Sequence, residues 1–331
     1  MYQCRGVQGS PPVGILLRNA QIRTKARKMT PAATQEALVI ATYSRQMLLR
    51  LEDRSEVRAR IKGRKIRPVC GDKVAVQPLP NEPEWLITNI LPRLTELTRP
   101  DSRGRVEILA ANLDFLVIVA AEAPPVDWFI VDRYLAAAEL MDVPAMVVFN
   151  KTDLHAPNDE SASALSEYEI IGYKTICCSA EDGSNIDRFA ALLSGHTAII
   201  VGQSGVGKSS LINRMLGDDR LRVSEISDAT GEGRHTTVNS AMLMLPGGGA
   251  VIDSPGVRDY APAIECADDV VHGFREIREY GQSCRFANCR HLREPNCAVK
   301  EAVDNGQISA RRYESFRRLL STSQDLADKR N

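Results

Sequence analysis

From residue 36 to 96 the chain alternates apolar and polar positions at period two, with turn residues between short runs. Val57, Ala59 and Ile61 fall on one face, and Arg58, Arg60 and Lys62 on the other. The same pattern predicts strands at Leu38–Tyr43, Gln46–Leu51, Lys73–Gln77 and Trp85–Leu91, with a turn at Gly71-Asp72. Five short strands in this space predict a small β-barrel of the OB type. Thr98-Arg99-Pro100-Asp101 reads as a linker. Beyond it the pattern changes to unbroken apolar runs: DFLVIVAA at 114–121, AMVVFN at 145–150, KTICCSA at 174–180, TAIIVG at 197–202 and GAVIDSPG at 249–256. Helical spacing over Val131–Met141 and Ile186–Leu193 separates some of these runs. Buried strands alternating with helices predict a doubly wound α/β domain. After about residue 260 the chain is polar, carries a cysteine cluster and ends in helical spacing. The resulting division is a basic arm (1–35), an OB-type barrel (36–97), an α/β domain (98–262) and a helical module (263–331).

Charge sharpens this picture. The 331 residues are neutral overall, yet residues 1–100 hold 18 Lys/Arg against 8 Asp/Glu. The arm, with Arg5, Arg18, Arg23, Lys25, Arg27 and Lys28, has no acidic residue before Glu36. Such an arm serves either contact with a polyanion or solubility; the basic barrel behind it favours a phosphate-backbone partner. Barrels of this kind bind single-stranded or structured nucleic acid on a basic face, a face also common on barrels that bind nothing, and Tyr43 and Trp85 are the few aromatics available for stacking. No run of about 18 apolar residues proposes a membrane span, and no signal segment opens the chain, so a cytoplasmic protein is expected. Eight cysteines in such a chain point to free thiols or metal ligands rather than disulfides.

The chemistry begins with Gly202-Gln203-Ser204-Gly205-Val206-Gly207-Lys208-Ser209, a phosphate loop between a predicted strand and a predicted helix. Its backbone N–H groups curl round phosphates, Lys208 reaches the β- and γ-phosphates, and the Ser209 hydroxyl binds Mg²⁺; Ser210 follows in the first helical turn. The predicted helix Ser209–Leu216 buries Leu211, Ile212, Met215 and Leu216, and Gly217 closes it. About 45 residues on, Asp253-Ser254-Pro255-Gly256 ends a strand, placing Asp253 near Mg²⁺ and the Gly256 N–H near a γ-phosphate. Between them GEGRHTTVN offers a switch hydroxyl from either Thr236 or Thr237.

Asn150-Lys151-Thr152-Asp153 has the pattern that reads guanine. Asp153 accepts from the ring N1–H and the 2-amino group, Asn150 meets the O6/N7 edge, and the Lys151 stem covers the base plane. Ser179-Ala180 would bring a backbone N–H near O6. A base reader ordinarily follows its phosphate loop; here it precedes the loop by about fifty residues, so one site requires a circularly permuted domain. The position after D-x-x-G is Val257, which cannot orient a water. His235 is the internal candidate for that role, with simple packing or partner contact as its other reading.

Cys284-x4-Cys289-x-His291-x5-Cys297 gathers four ligands of the set that a structural Zn²⁺ takes. Cys177 and Cys178 read as strand residues, and Cys4, Cys70 and Cys266 as unpaired. Arg285, Arg290, Arg293 and Lys300, with Arg311, Arg312, Arg317 and Arg318 on the last helix, form either an RNA face or a solvated one. Tyr313, Phe316 and Leu320 fall on one side of that helix, as packing residues do.

Base-reading elements ahead of GQSGVGKS, GRHTT and DSPG, an OB-like domain before them and a Cys/His cluster after them resemble the ribosome small subunit-dependent GTPase A (RsgA/YjeQ) family. The resemblance covers the chain from about residue 36 onward. It implies a permuted GTPase, monomeric, with one structural Zn²⁺ and with Mg²⁺ accompanying GTP. It further implies that the protein binds the small ribosomal subunit and its rRNA, hydrolyses GTP there and acts late in subunit maturation; Val257 itself predicts slow intrinsic turnover, with a partner or another residue completing the site. An RNA-binding assembly factor that uses GTP only as a conformational latch is the alternative.

Overall fold

The computed structural model describes residues 34–43, 46–63, 66–100, 105–217, 240–254 and 267–328. His235, Thr236, Thr237 and Gly256 lie outside them, as do residues 1–33, Val257, Cys4 and Cys266.

Strands β1 (Gln35–Thr42), β2 (Met47–Leu51), β3 (Glu56–Ile61), β4 (Lys73–Pro78) and β5 (Trp85–Ile90) follow the period-two pattern. They pair in the order β1-β2-β3-β5-β4 and close through β1–β4; β3 and β5 run parallel. Closure leaves few edges exposed and gives the five-stranded barrel the sequence predicts. Its interior holds Val39, Leu49, Ala59, Val74, Val76 and Ile87.

Of the expected linker, Thr98, Arg99 and Pro100 belong instead to a strand, β6 (Glu96–Pro100), paired antiparallel with β7 (Val106–Ala111), and Asp101 lies outside the described residues. Leu97, Leu109 and Ala110 on this ribbon are buried against both the barrel's Ile40 and the next domain's core. A short turn-like stretch became a strand because long-range burial outweighs local turn preference.

Five parallel strands follow: β8 (Phe115–Ala120), β9 (Ala145–Phe149), β10 (Lys174–Cys177), β11 (Thr197–Gly202) and β13 (Ala250–Asp253). Their order is β10-β9-β8-β11-β13, with β12 (Ser240–Met244) antiparallel beside β13. Both faces are apolar because both are covered. Helices α1 (Trp128–Leu140) and α2 (Asp159–Ile170) pack one face. Helices α3 (Ile186–Leu192) and α4 (Lys208–Leu216) pack the other. Strand β1 also pairs with β12, Ala41 opposite Ala241 and Thr42 opposite Ser240, so barrel and α/β sheet share one hydrogen-bonded sheet.

A 3₁₀ turn (Ala267–Gly273), α5 (Arg275–Gly281), α6 (Ala298–Asp304) and α7 (Ala310–Asp328) form the C-terminal module round Phe274, Ile277, Phe316 and Leu320. Phe316 and Leu320 are buried as their spacing predicts. Arg312 is not on a surface, which corrects its reading as RNA-facing or solvated: it is fully buried, paired with Asp132 and Glu276. Arg311 is also drawn inward, bridging Asp132 and Glu167. Arg312→Met, which takes the forked partner from Glu276 and one of two guanidinium partners from Asp132, is expected to cost about 3–5 kcal/mol of stability. Denaturant unfolding of the full chain checks it, and an unchanged midpoint would refute it.

Among the described residues no helix is long and apolar enough to cross a membrane.

Candidate nucleotide site and metal centre

The parallel strands all deliver their loops to the sheet's carboxyl end, where an open α/β sheet binds its ligand. β11 leads into the phosphate loop, β9 into Asn150–Asp153, β10 into Ser179-Ala180, and β13 ends at Asp253. Because β11 lies between β8 and β13, with β9 and β10 beyond β8, segments separated in sequence converge in space. Chain order is thus irrelevant to the site, and the permutation leaves it intact.

The contact is direct. The Asn150 side chain, buried, donates to Val206 O at 2.9 Å and accepts from Ala180 N–H at 3.1 Å. Lys151, at φ 66°, lays its stem over the loop, with Nζ donating to Gly205 O at 2.6 Å and Ala123 O at 2.8 Å. The Ser179 hydroxyl donates to Asp153 Oδ1 at 2.6 Å and accepts from the N–H groups of Glu181 and Asp182, fixing a carboxylate that is itself exposed. The sulfur of Cys178, buried just past β10, sits 3.9 Å from Asn150 Oδ1, and burial pushes its thiol up to about 12.

Two glycines of the loop are required by space. A Cβ on Gly202 would stand 2.2 Å from Val119 O, so β11 and β8 could not approach. A Cβ on Gly207, at φ +92°, would stand 2.3 Å from Asn150 Nδ2. Gly207→Ala would therefore separate Asn150 from the phosphate loop as well as strain the helix start. GTP affinity is expected to fall about 10- to 100-fold, roughly 1.4–2.8 kcal/mol. Titration with a fluorescent GTP analogue checks this; unchanged affinity would refute the contact's importance.

Helix α4 starts at Lys208, and its first-turn Ser209 and Ser210 are exposed. Lys208 is buried, with Nζ donating to Gly202 O at 2.7 Å and Gln203 O at 2.6 Å. The Gln203 side chain accepts Asp127 N–H at 3.2 Å. Asp253 lies one residue past the β11–β13 pair Ile199–Ile252, next to the strand that feeds the loop, and its neighbour Ser254 is buried and bonded to Ser240. The Ser209 hydroxyl and the Asp253 carboxylate are hard oxygen donors of the kind that Mg²⁺ takes. Sequence reasoning did not find the segment Ala123–Asp127, which touches this site through Ala123 O and Asp127 N. These are backbone groups, and no side-chain pattern announces them.

In the C-terminal module the ligand atoms of Cys284, Cys289, His291 and Cys297 all lie within 4.8 Å of one another. His291 Nδ1 is 3.4 Å from both Cys284 Sγ and Cys297 Sγ, and those sulfurs are 3.8 Å apart. A tetrahedron with Zn–S near 2.3 Å and Zn–N near 2.0–2.1 Å spaces its corners by about 3.4–3.8 Å, so these residues fit Zn²⁺. Burial holds His291 below the ordinary imidazole range, favouring the neutral ring that coordinates a metal. Burial also pushes the Cys289 thiol up to about 12, and a coordinated cation reverses such a shift by stabilising the thiolate. His291 adopts φ 61°, and Gly281 gives its ring room. The Glu294 carboxylate staples the ligand loop by accepting N–H bonds from Arg290, Leu292 and Arg293. Burial raises its pKa, but those bonds prevail and bring it to about 2. The Tyr313 hydroxyl donates to His291 O at 2.6 Å.

Comparison with known proteins gives one consistent result. Residues 90–262 match the RsgA GTPase family. The small ribosomal subunit biogenesis GTPase RsgA of Actinobacillus succinogenes is 40% identical over 248 residues, 74% of this chain and 71% of that protein. Its namesake from Haemophilus influenzae (strain PittGG) is 38% identical over 304 residues, 90% and 88% of the two chains. YjeQ from Thermotoga maritima superposes with a TM-score of 0.68 at 28% identity, covering 88% of this chain and 99% of that one. YloQ, described as a circularly permuted GTPase, gives 0.67 at 26% identity over 91% and 98%.

Proposed function

Since this chain belongs to the RsgA GTPase family, we propose that it binds the small ribosomal subunit and hydrolyses GTP slowly until that subunit stimulates it, assisting a late step of subunit maturation. The observation that carries the nucleotide assignment is Asn150, whose one side chain bonds both the phosphate loop at Val206 and the base-side Ala180. Guanine is read by Asp153, which Ser179 holds in place. Gly202, Gln203, Ser204, Gly205, Val206 and Gly207 wrap the phosphates with backbone N–H groups, and Lys208 supplies their countercharge. To reach them, Lys208 exchanges its bonds to Gly202 O and Gln203 O for phosphate oxygens. Ser209 and Asp253, with Thr236 or Thr237, would hold Mg²⁺, which when bound would supply positive charge beside the phosphates. The Gly256 N–H meets the γ-phosphate. Val257 offers water no hydrogen bond, so His235 orients the attacking water. Cys284, Cys289, His291 and Cys297 hold one structural Zn²⁺, and the protein acts as a monomer.

GTP turnover measured with and without purified small subunits, over a range of salt, tests this reading. Stimulation is expected at low salt, declining as salt rises because phosphate contacts release counterions. No stimulation at any salt would overturn it. His235→Ala is expected to lower stimulated turnover by about 10²-fold or more, the size of a typical acid–base contribution; an unchanged rate would remove the histidine from the mechanism.

A further inference from the structure

One unbroken series of contacts joins the phosphate loop to the metal centre through α1. At its first end, Gln203 makes two bonds: its backbone carbonyl accepts from Lys208 Nζ, and its side chain accepts from Asp127 N. Asp127 is the N-cap of α1, its carboxylate accepting Phe129 N–H at 3.0 Å. Phosphates compete for the same lysine ammonium, so occupancy changes the bonding of the residue that touches α1.

Little more than one turn along from Asp127, and again near its far end, α1 is clamped by the C-terminal module. Asp132, fully buried, accepts from Arg312 at 2.9 Å, Arg311 at 2.9 Å and the Tyr168 hydroxyl at 2.6 Å. Arg312 also forks onto Glu276 of α5 at 2.7 and 2.9 Å. Near the end of α1, Glu139 accepts from Arg275 at 2.7 Å. The residue after Arg312, Tyr313, bonds the ligand His291. Removing one partner of a buried charge pair is costly, so the low-energy response to a displacement of α1 is for α7 to follow it.

We propose that α1 transmits phosphate-loop occupancy to the C-terminal module, with Gln203 as the positioning residue at the nucleotide end and Asp132 as the clamp at the other. The inference rests on the GTP-binding reading and adds to it a route that runs through side chains of the folded domain. Coupling of this kind is reciprocal: loosening the clamp alters nucleotide affinity by the factor with which nucleotide alters the module.

Hydrogen exchange of the full chain, with and without a non-hydrolysable GTP analogue, tests it. In the unaltered protein the analogue is expected to change exchange of the α7 amides about fivefold or more. Gln203→Leu, held at saturating analogue as verified by direct titration, is expected to abolish that response. Asp132→Asn is expected to retain the response at the start of α1 and lose it at α7. Arg311→Met, at the less buried edge of the cluster, gives the same reading if Asp132→Asn fails to fold. An α7 response in Gln203→Leu equal to that of the unaltered protein overturns the proposal. So does a missing α7 response in an unaltered protein that binds the analogue. Failure of the unaltered protein to bind the analogue at all overturns the GTP reading beneath it.

Discussion

Asp153→Asn is expected to weaken GTP binding by about 100- to 1,000-fold, roughly 2.8–4.2 kcal/mol, and to make xanthosine triphosphate the better ligand. The carboxylate offers two acceptors to the guanine N1–H and 2-amino donors, and charge-assisted bonds of this kind contribute about 1.5–3 kcal/mol each. An asparagine at the same place presents one amide donor toward the 2-amino group, so two donors face each other. Xanthine carries a carbonyl there instead, which the new amide satisfies, while the amide oxygen still accepts the ring N1–H. The Ser179 hydroxyl, 2.6 Å from Asp153 Oδ1, keeps the group oriented in either variant. Competitive titration of the two nucleotides against a fluorescent analogue reads the switch. Equal weakening of both, or no weakening of GTP, would show that Asp153 does not read the base.

Loss of the metal centre should be as large in its effect on the C-terminal module. Structural Zn²⁺ contributes about 10–16 kcal/mol of apparent folding free energy in small modules, more than a module of this size gains from its core. Cys297→Ala removes one of four ligands, and Cys297 also stands at the N-cap of α6 within the cluster that includes Phe316 and Ile277. The variant is expected to carry less than one zinc per chain and to lose hydrogen-exchange protection over α6 and α7. Chelation of the unaltered protein should reproduce both effects. One tightly held zinc per chain and unchanged protection in Cys297→Ala would mean that the four residues are not a shared site.

Much of this was written locally. The alternation in Glu56–Ile61 and the four spaced residues Cys284, Cys289, His291 and Cys297 each express a requirement met within a short stretch of chain, whereas Gly202 and Gly207 are also held to glycine by the distant Val119 and Asn150. Turn chemistry, strand period and ligand spacing are short-range properties, so elements and candidate chemistry were readable from the chain alone. Even the inverted order of Asn150–Asp153 and Gly202–Ser209 was readable as a permutation, because strand ends mark where loops must gather.

What the tertiary structure decided is which groups become partners. Arg311 and Arg312 are adjacent residues in a basic stretch, as Arg317 and Arg318 are; Arg312 shares the helical side of Phe316 and Leu320, but nothing in the chain names the carboxylates that meet it. One pair is drawn into a cluster with Asp132 and Glu276, more than 30 residues away in each case, while the other stays exposed. The pairing of β1 with β12 and the burial of Leu97 on β6 likewise depend on which surfaces meet. A guanidinium has the same local propensity in water and in a buried ion pair; only the desolvation and Coulomb terms differ, and those are set by neighbours that the linear chain does not name.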